Sequence, residues 1–540
     1  MNSGSVLADV LAAQRSTDRL MLLSTMGSPD GHLHFYLWKV VWLAAVFGAS
    51  AGMISCGSGG GSNSFLSPSP IAPPSSSSLQ KLSTDVLTNT VSQHATEVEP
   101  HALAFGSRIV AAFQVGRNFQ GGAAAIGFAT SVDGGATWSS GMLSGLTVFV
   151  QNGPYIAATD PNVAYDVAHA VWMISSLGIN STGEDVLVSL STDGIIWDNP
   201  IRVSSTVHSD KNWIACDNNS SSPFFGHCYA EWDDPSVSNG LISMTTSTDG
   251  GHTWSTAQNT PDSVVGIAGQ ILIQPSGQVI VVLANDTLST IQAFASADGG
   301  KNWSSSVNVS PIFDHQVAGH IRAGPLPNAE IDSSGKAYVV WQDCRFRSNC
   351  VANDIVLSAS IDGLTWSPPV RLPLDNVTSS VDHFVPTLAI DSANGGRQTR
   401  LALTYYFLTV SNCVISNCQL NTGFASSSDA GNTWTISRVL AGPMSLSWLP
   451  DTSAGLMFGD YSGLVFSQNQ AVPIFSLAHP KAGVTFDQAI YTTATPINVT
   501  NLTTANSLAS QSPPILSIQS DHEHVRRTHF ESYHPSPPRR

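Results

Sequence analysis

A segment of seven or eight residues, built around an aspartate and a glycine, recurs six times in this chain. The copies begin at residues 131, 191, 247, 296, 360 and 427 and read SVDGGATW, STDGIIW, STDGGHTW, SADGGKNW, SIDGLTW and SSDAGNTW. Their aspartates are Asp133, Asp193, Asp249, Asp298, Asp362 and Asp429. A segment that recurs every ~50 to 70 residues indicates a repeat architecture, in which similar units pack against their neighbours.

Each copy lies between two short apolar segments, such as AIGFAT before the first copy and PIRV after the second. Apolar runs on both sides of a Gly-rich segment predict a β-hairpin with the repeated segment in its turn. In such a turn the glycines permit positive φ, the aspartate accepts backbone N–H groups, and the tryptophan buries apolar surface between units. No enzyme needs six copies of one catalytic acid, so we expect these aspartates to be structural.

A further pair of apolar segments precedes each hairpin, for example DPNVAYDVAHAVWMISSL and AEIDSSGKAYVVWQD. Each repeat therefore predicts a four-stranded antiparallel unit, which is the size of a β-propeller blade. A seventh unit, from Gly455 to Thr493, lacks the repeated turn, and we expect residues 86–93 to supply its outer strand. We therefore predict an all-β fold, a β-propeller of seven antiparallel blades, with six blades as the alternative.

The repeated segment resembles the Asp-box, or BNR repeat, of the sialidase (neuraminidase) superfamily, over about residues 94–495. This resemblance implies a β-propeller whose substrate site opens on the top face, at the central axis. We call top the face that carries the loops between second and third strands and the connections between units. The bottom face carries the repeated turns. The superfamily includes sialidases, other glycosidases and non-catalytic binding propellers, so the fold does not decide the activity.

Four arginines of the repeat region are expected on the top face, namely Arg117, Arg322, Arg345 and Arg347. A planar guanidinium matches a carboxylate, so this set would suit sialic acid or another anionic sugar. The alternative is that these arginines pair with acids of the same loops, such as Asp343 and Asp354.

The resemblance also implies catalytic candidates, because sialidases use a tyrosine nucleophile together with carboxyl groups. Tyr461, in GDYSGL, is the candidate nucleophile and Glu330 its base, while Asp160 or Asp210 is the candidate general acid. The alternative is that Tyr461 begins an inner strand and packs at the axis. The Phe-Arg-Ile-Pro motif of sialidases is absent, so the catalytic resemblance is fragmentary.

Three functions therefore compete: a sialidase-like glycosidase, a glycan- or protein-binding propeller without catalysis, and a structural scaffold. The net charge of -16 argues against a nucleic-acid partner, because phosphate contacts need clustered Lys and Arg. No Cys or His spacing suggests a zinc site, and we expect no cofactor, with calcium left open. We expect a glycan ligand and a monomeric chain.

The N-terminal residues 1–56 predict an export leader, because the apolar run 40–51 follows Lys39. The run ends in MISC and a Gly/Ser segment, which resembles a bacterial lipobox and implies a lipid on Cys56. Ordinary secretion is the alternative. Residues 57–81 predict a disordered tether, 82–500 the propeller and 501–540 a disordered tail.

The remaining cysteines fall into three close pairs in the sequence. They are Cys216 and Cys228, Cys344 and Cys350, and Cys413 and Cys418. Six cysteines do not fix their own connectivity, but sequence proximity favours these local disulfides in an exported protein.

Overall fold

A computed structural model describes residues 78–205, 208–393, 395–499 and 505–507, and the expected all-β class is confirmed. Helical structure in these residues is limited to three short 3-10 turns, at Ser348–Cys350, Gly396–Gln398 and Leu446–Trp448. No helix in these ranges has the length and apolar character needed to cross a membrane.

The strands group along the chain into seven antiparallel units, which we number I to VII; single pairings, Thr96 with Gln488 (parallel) and Ala123 with Ala158, join VII, I and II into one 13-stranded sheet. Strand β1 is Leu79–Lys81, and unit I consists of β2 (Gln93–Phe105), β3 (Arg108–Arg117), β4 (Ala123–Ser131) and β5 (Ser139–Met142). Unit II consists of β6 (Ala157–Asp166), β7 (Val171–Ile179), β8 (Glu184–Ser191) and β9 (Ile201–Ser205). Unit III consists of β10 (Asp210–Cys216), β11 (Cys228–Asp234) and β12 (Leu241–Ser247). Unit IV consists of β13 (Gly266–Ile273), β14 (Val279–Asn285), β15 (Thr290–Ser296) and β16 (Val307–Pro311).

The C-terminal half continues this arrangement. Unit V consists of β17 (Asn328–Ile331), β18 (Ala337–Asp343), β19 (Asp354–Ser360) and β20 (Val370–Arg371). Unit VI consists of β21 (Asp382–Ile390), β22 (Leu401–Leu408), β23 (Gln419–Ser427) and β24 (Thr433–Ser445). A small hairpin, β25 (Asp451–Thr452) and β26 (Gly455–Leu456), precedes unit VII. Unit VII contains β27 (Gly463–Ser467), β28 (Gln470–Ala478) and β29 (Gln488–Thr493), with β30 (Ile497–Asn498) and β31 (Ala505–Ser507) after it.

The outer strand of unit VII comes from the N-terminal side of the chain, as expected, but not from residues 86–93. Strand β1 pairs antiparallel with β29, so it lies within the stretch predicted to be tether. Residues 89–92 instead form a turn, because the Asn89 side chain accepts the N–H groups of Val91 and Ser92. Strand β31 likewise falls in the predicted tail and pairs with β24 at the edge of unit VI.

In all six repeated turns the aspartate and the serine hydroxyl accept backbone N–H groups, and in four of them the tryptophan indole also donates to a glycine carbonyl; the first copy shows the full set. Asp133 accepts the backbone N–H of Thr137 at 2.9 Å and the Thr137 hydroxyl at 2.6 Å. The Ser131 hydroxyl accepts the N–H of Gly135 at 2.8 Å, and the Trp138 indole donates to the Gly135 carbonyl. Equivalent backbone bonds are accepted by Asp193, Asp249, Asp298, Asp362 and Asp429. The aspartates therefore hold their turns, as the sequence predicts.

Hydrophobic clusters join each unit to its neighbours. Seven such clusters lie between successive units, including one between VI and VII and one between VII and I. The tryptophan of each repeated turn packs in the cluster that joins its own unit to the preceding one; Trp434, for example, lies between V and VI. The first strands also contact one another in cyclic order: β2, β6, β10, β13, β17, β21, β27 and again β2.

Several first strands contain a bulge at the same position, and the residue there has positive φ. The pairing shifts register after Val98, Thr159, Asp210, Ile267 and Phe384. The residues with positive φ at these bulges are Glu99, Asp160, Lys211, Ala268 and Val385. A bulge re-aims the side chain that it carries, and in units I to III that side chain is charged.

Polar side chains link neighbouring first strands; in β2, β6 and β13 they lie two residues beyond the bulge, and in β17 the linking residue is Asn328. The Asn162 side chain accepts the backbone N–H of Ile214 at 2.9 Å, and Asn328 accepts that of Leu388 at 2.7 Å. The same link is made by His101 and Gln270. These bonds satisfy buried N–H groups that the bulged strands would otherwise leave unpaired.

The three disulfides expected from sequence proximity are present. They join Cys216 to Cys228, Cys344 to Cys350 and Cys413 to Cys418. Each closes a short loop, and the first closes the loop 217–227 on the bottom face of unit III.

Candidate functional site

Lys211 lies at the centre of a buried charge network on the top side of the first strands. Its Nζ is 2.9 Å from Asp160 Oδ1, 2.8 Å from Asp460 Oδ2 and 3.9 Å from Glu99 Oε1. Arg322 binds both oxygens of Asp460, with Nε–Oδ1 at 3.0 Å and Nη2–Oδ2 at 2.6 Å. All five residues are buried. We call this set the axial network; it draws on units I, II and III, on the segment before β27 and on the connection between IV and V.

Arg117 adjoins this network without an ion pair of its own. Its Nη1 donates to Gln114 Oε1 at 2.8 Å and to the Gly122 carbonyl at 3.1 Å. Gln114 in turn donates to Glu99. The Nε of Arg117 has no partner among the described residues, although the residue is only 4% exposed. A buried guanidinium without a carboxylate partner is energetically unfavourable, because the charge has lost its water.

Burial and the mutual charges of the axial network shift several pKa values. Burial raises the pKa of Glu99 to about 7, although Lys211 acts in the opposite direction. Burial also disfavours the ionised form of Asp460, but Arg322 and Lys211 outweigh it and hold its pKa well below the usual range. Burial lowers the pKa of Arg117. The network therefore holds one carboxylate firmly ionised and another that titrates near neutrality, a combination found at many functional sites.

A small cavity of about 30 Å³ opens beside the axial network. Its wall includes Arg117, Asp160, Asp210, Lys211 and Arg322. This volume admits about one water molecule or one small polar group. Gln120 borders the cavity and is exposed, so it marks the side that faces solvent.

The structure therefore brings together four residues singled out in the sequence, and these are Arg117, Arg322, Asp160 and Asp210. Tyr461 lies next to them, because the charges of Glu99, Asp160 and Asp460 all act on its hydroxyl. Burial raises the Tyr461 pKa far above its ordinary value. Its hydroxyl donates to the Pro161 carbonyl at 3.1 Å, so in this arrangement the tyrosine is held by the backbone of β6.

Glu330 lies elsewhere, in a second cavity on the bottom side of the first strands. The acids whose charges act most on the Tyr461 hydroxyl are Glu99, Asp160 and Asp460 of the axial network. Burial raises the pKa of Glu330 to about 8. This geometry therefore does not pair Tyr461, as nucleophile, with Glu330 as its base.

Arg345 and Arg347 are paired with acids of unit V, which is the alternative considered for them. Arg345 Nε donates to Asp343 at 2.8 Å, and Arg347 Nη2 lies 2.6 Å from Asp354 and 2.8 Å from Asp375. Neither arginine borders the small cavity. Their guanidinium groups stabilise the loops around the Cys344–Cys350 disulfide.

Asp354, Asp375 and His383 are the one group within the described ranges whose spacing could hold a metal ion, with ligand atoms within 4.8 Å of one another. The spacing is compatible with calcium. However, Arg347 and Arg371 already bind Asp354 and Asp375, so two cations neutralise these carboxylates. The donor set fits an ion-pair cluster better than a calcium site, which needs free carboxylate oxygens.

Sequence reasoning missed Glu99 and Gln114. Glu99 precedes Pro100 in the way that Asp160 precedes Pro161, and Val385 precedes Pro386. All three residues before proline occupy bulges. The repeated residue–proline pair is therefore the signal that would have placed Glu99 beside Asp160. Gln114 carries no such signal, because a glutamine within an apolar strand has no distinctive spacing.

Comparisons with known proteins give likenesses of structure only. No family model matches the chain, and no curated protein matches it. A Hadza microbial sialidase, Hz136, is 16% identical, with a TM-score of 0.38 over 64% of this chain and 66% of that chain. NanB sialidase of Streptococcus pneumoniae is 11% identical, with a TM-score of 0.39 over 78% and 71%. An ulvan lyase of polysaccharide lyase family PL25 is 9% identical, with a TM-score of 0.44 over 74% and 94%. Values this low do not assign the chain to a family.

Proposed function

We propose that this chain is a glycan-active propeller of the Asp-box type, in which units I to VII close into a ring of seven blades. Six repeated turns with one bonding pattern support this proposal. The cyclic contacts of the first strands and the hydrophobic cluster between VII and I support the closure. The first strands then surround a central axis, which is where propellers commonly bind ligands.

The ligand site that we propose is the top of this axis, and the proposal rests on the buried guanidinium of Arg117, which has no ion pair and whose Nε has no partner among the described residues. A ligand carboxylate would accept paired hydrogen bonds from this arginine and neutralise its charge. Since the cavity holds only about 30 Å³, the carboxylate is the part of the ligand that enters, and the sugar ring lies towards Gln120. The proposed ligand is therefore a glycan with an acidic terminal sugar, such as a sialic acid.

A glycan array with paired acidic and neutral glycans tests this proposal. We expect the wild-type chain to retain acidic glycans, Arg117→Lys to weaken that retention, and Arg117→Met to abolish it. Arg345→Met is the matched control, because Arg345 is paired with Asp343 away from the cavity, and it should bind like wild type. Equal retention by wild type and Arg117→Met, with both proteins folded by circular dichroism, would contradict the proposal.

Hydrolysis of the bound glycan is a second candidate, favoured by the titration of the axial network. Glu99, with a pKa of about 7, can donate a proton at neutral pH, as a general acid must. Asp160 and Asp210 remain candidates for this role, with Tyr461 as nucleophile. In this form of the proposal Tyr461 exchanges its bond to the Pro161 carbonyl for a carboxylate of the network, which accepts its proton.

Release of sugar from aryl sialosides and other aryl glycosides separates the two candidates. If the chain is a hydrolase, the wild type releases the aryl group, while Tyr461→Phe binds the same glycans and releases it far more slowly. If wild type binds acidic glycans but releases nothing from any aryl glycoside, hydrolysis is wrong and the binding function stands.

We also propose that the protein is exported and anchored to a membrane through a lipid on Cys56, or secreted if the leader is cleaved without lipidation. Cys56 and the rest of the leader lie outside the described residues. The support is the apolar run before MISC in the sequence, together with the three disulfides, which persist in oxidising compartments.

A further inference from the structure

The cavity that contains Glu330 lies on the bottom side of the first strands, on the opposite face from the axial network. It has a volume of about 540 Å³, and residues of all seven first strands or of the segments that lead into them form its wall. This volume is within the range of small-molecule sites, whereas the cavity beside Arg117 is not. It reaches exposed residues of the loop 217–227, so it is open to solvent at that end.

Glu330 interrupts an otherwise apolar layer of this cavity. Counting from the bulges and from the links between first strands, the equivalent residues on the wall are Leu103, Ala164, Ala215, Leu272 and Leu464. Glu330 is half-buried, and an isolated carboxyl group among apolar side chains is unfavourable unless water or a cation compensates it. Packing alone would therefore select Leu or Ala at residue 330.

No cation compensates Glu330. Among the described residues the cavity wall contains no Lys or Arg, and Glu330 makes no ion pair; only the N–H of Ile331 acts on its carboxyl. The other titratable side chains on the wall are His101, Tyr165, Asp217 and Asp332. Burial lowers the pKa of His101 to about 3, so this imidazole is neutral and supplies no positive charge.

The two aspartates are already satisfied within their own turns. Asp332 accepts the N–H groups of Ser334 and Lys336 and the hydroxyl of Thr399. Asp217 accepts the Ser222 hydroxyl and the N–H of Asn219. Both are held by several hydrogen bonds, whereas only the N–H of Ile331 acts on the Glu330 carboxyl.

Aromatic rings complete the wall. Trp213 and Tyr165 border the cavity, and both are half-buried, so part of each ring faces it. The face of an aromatic ring attracts a cation, and the attraction is strongest for tryptophan. Carboxyl groups and aromatic rings without basic residues are the combination that recognises organic ammonium groups.

We propose that this cavity is a binding site for a small organic cation, whose ammonium group pairs with Glu330 and lies against Trp213 and Tyr165. The site does not involve Arg117, so this proposal is independent of the proposed acidic glycan site. Because a cation pairs with the ionised carboxylate, its affinity rises as pH increases towards the pKa of Glu330, near 8, and then levels off.

Choline and its neutral carbon isostere, 3,3-dimethylbutan-1-ol, test the proposal by calorimetry on the full chain. We expect choline to bind at least about tenfold more tightly than the isostere. Glu330→Gln should weaken choline binding by about tenfold or more, since it removes one charge and keeps the shape, and should remove its pH dependence. Glu97→Gln is the matched control: burial also raises the Glu97 pKa to about 8, but Glu97 lies outside the cavity and should leave binding unchanged.

Three results would overturn the proposal. The first is equal affinity for choline and the neutral isostere. The second is a folded Glu330→Gln variant, checked by its thermal unfolding, that binds choline like wild type. The third is that N-acetylglucosamine, a neutral sugar, competes with choline and binds the Glu330→Gln variant as tightly as wild type. That result would identify the cavity as a neutral-saccharide site.

Discussion

Lys211 shows at the residue scale how strongly the axial network depends on each charge. Its ammonium bonds both Asp160 and Asp460 and faces Glu99, and all four groups are buried. Lys211→Met would leave these carboxylates with too little positive charge. Removal of one partner from a buried ion pair costs about 3–5 kcal/mol of unfolding free energy, so we expect a loss of that order in urea denaturation.

An exposed lysine provides the matched control for that variant. Lys81 lies 4.0 Å from Asp487, and both side chains are nearly half exposed. Pairs of this kind contribute at most ~1 kcal/mol, so Lys81→Met should unfold almost like wild type. Similar losses in the two variants would show that the axial network is not a tightly coupled unit.

The aspartates of the repeated turns predict a pH effect of defined sign. Hydrogen bonds from Thr137 and Ser131 lower the pKa of Asp133 to about 2. A carboxyl with a lowered pKa stabilises the fold above its unfolded-state pKa of ~3.9 and loses that contribution as pH falls towards the folded-state value. Asp133→Asn should therefore lower the melting temperature at pH 6, and the difference from wild type should shrink between pH 4 and pH 2. A constant difference across this range would contradict the assignment.

Single residues also show where sequence reasoning ends. Asp133 could be assigned from sequence, because its partners lie within four positions of it and every bond is local. Lys211 and Asp460 are 249 positions apart, and only the folded chain brings them together. The proximity of Glu99 to Asp160 could have been predicted from the sequence, because each residue precedes a proline at the bulge of its first strand.

At the scale of the element, stability depends on the side-chain hydrogen bonds that link neighbouring first strands. The Asn328 side chain accepts the N–H of Leu388 and thereby connects unit V to unit VI. Asn328→Leu leaves that buried N–H without a partner, which costs about 1–3 kcal/mol of unfolding free energy. Asn308→Leu is the control, because Asn308 is exposed on the outer strand β16 and its side chain accepts a long bond of 3.4 Å from Gln292. Equal stability of the two variants would show that the links are dispensable.

Strand positions could be predicted where the pattern is local, and were misplaced where tertiary pairing decides. The hairpins around each repeated turn follow from the turn chemistry of a few residues. The outer strand of unit VII does not, because β1 pairs with a strand almost at the other end of the described chain. Its short sequence, LQK, has no alternation that distinguishes it from a tether.

At the scale of the whole molecule, the repeat predicted the class of fold but not which face offers space. The resemblance to sialidases implied an open site at the top of the axis. There the axial network leaves a cavity of only about 30 Å³, and the cavity of about 540 Å³ that the first strands line opens on the bottom side instead. Cavity size depends on how side chains from seven units meet, and no single repeat carries that information.

At this scale we also expect attachment of the protein to a membrane through Cys56. Acyl chains contribute ~0.8 kcal/mol per buried CH₂ group, so a lipid on Cys56 would hold the protein in the membrane fraction after cell lysis. We expect Cys56→Ala to move the protein to the soluble fraction. Cys413→Ala is the matched control, because it removes a cysteine of the Cys413–Cys418 disulfide and leaves Cys56 in place, so it should stay with the membranes. If Cys56→Ala also stays in the membrane fraction, a lipid on Cys56 is not the anchor, and the uncleaved leader would account for the attachment.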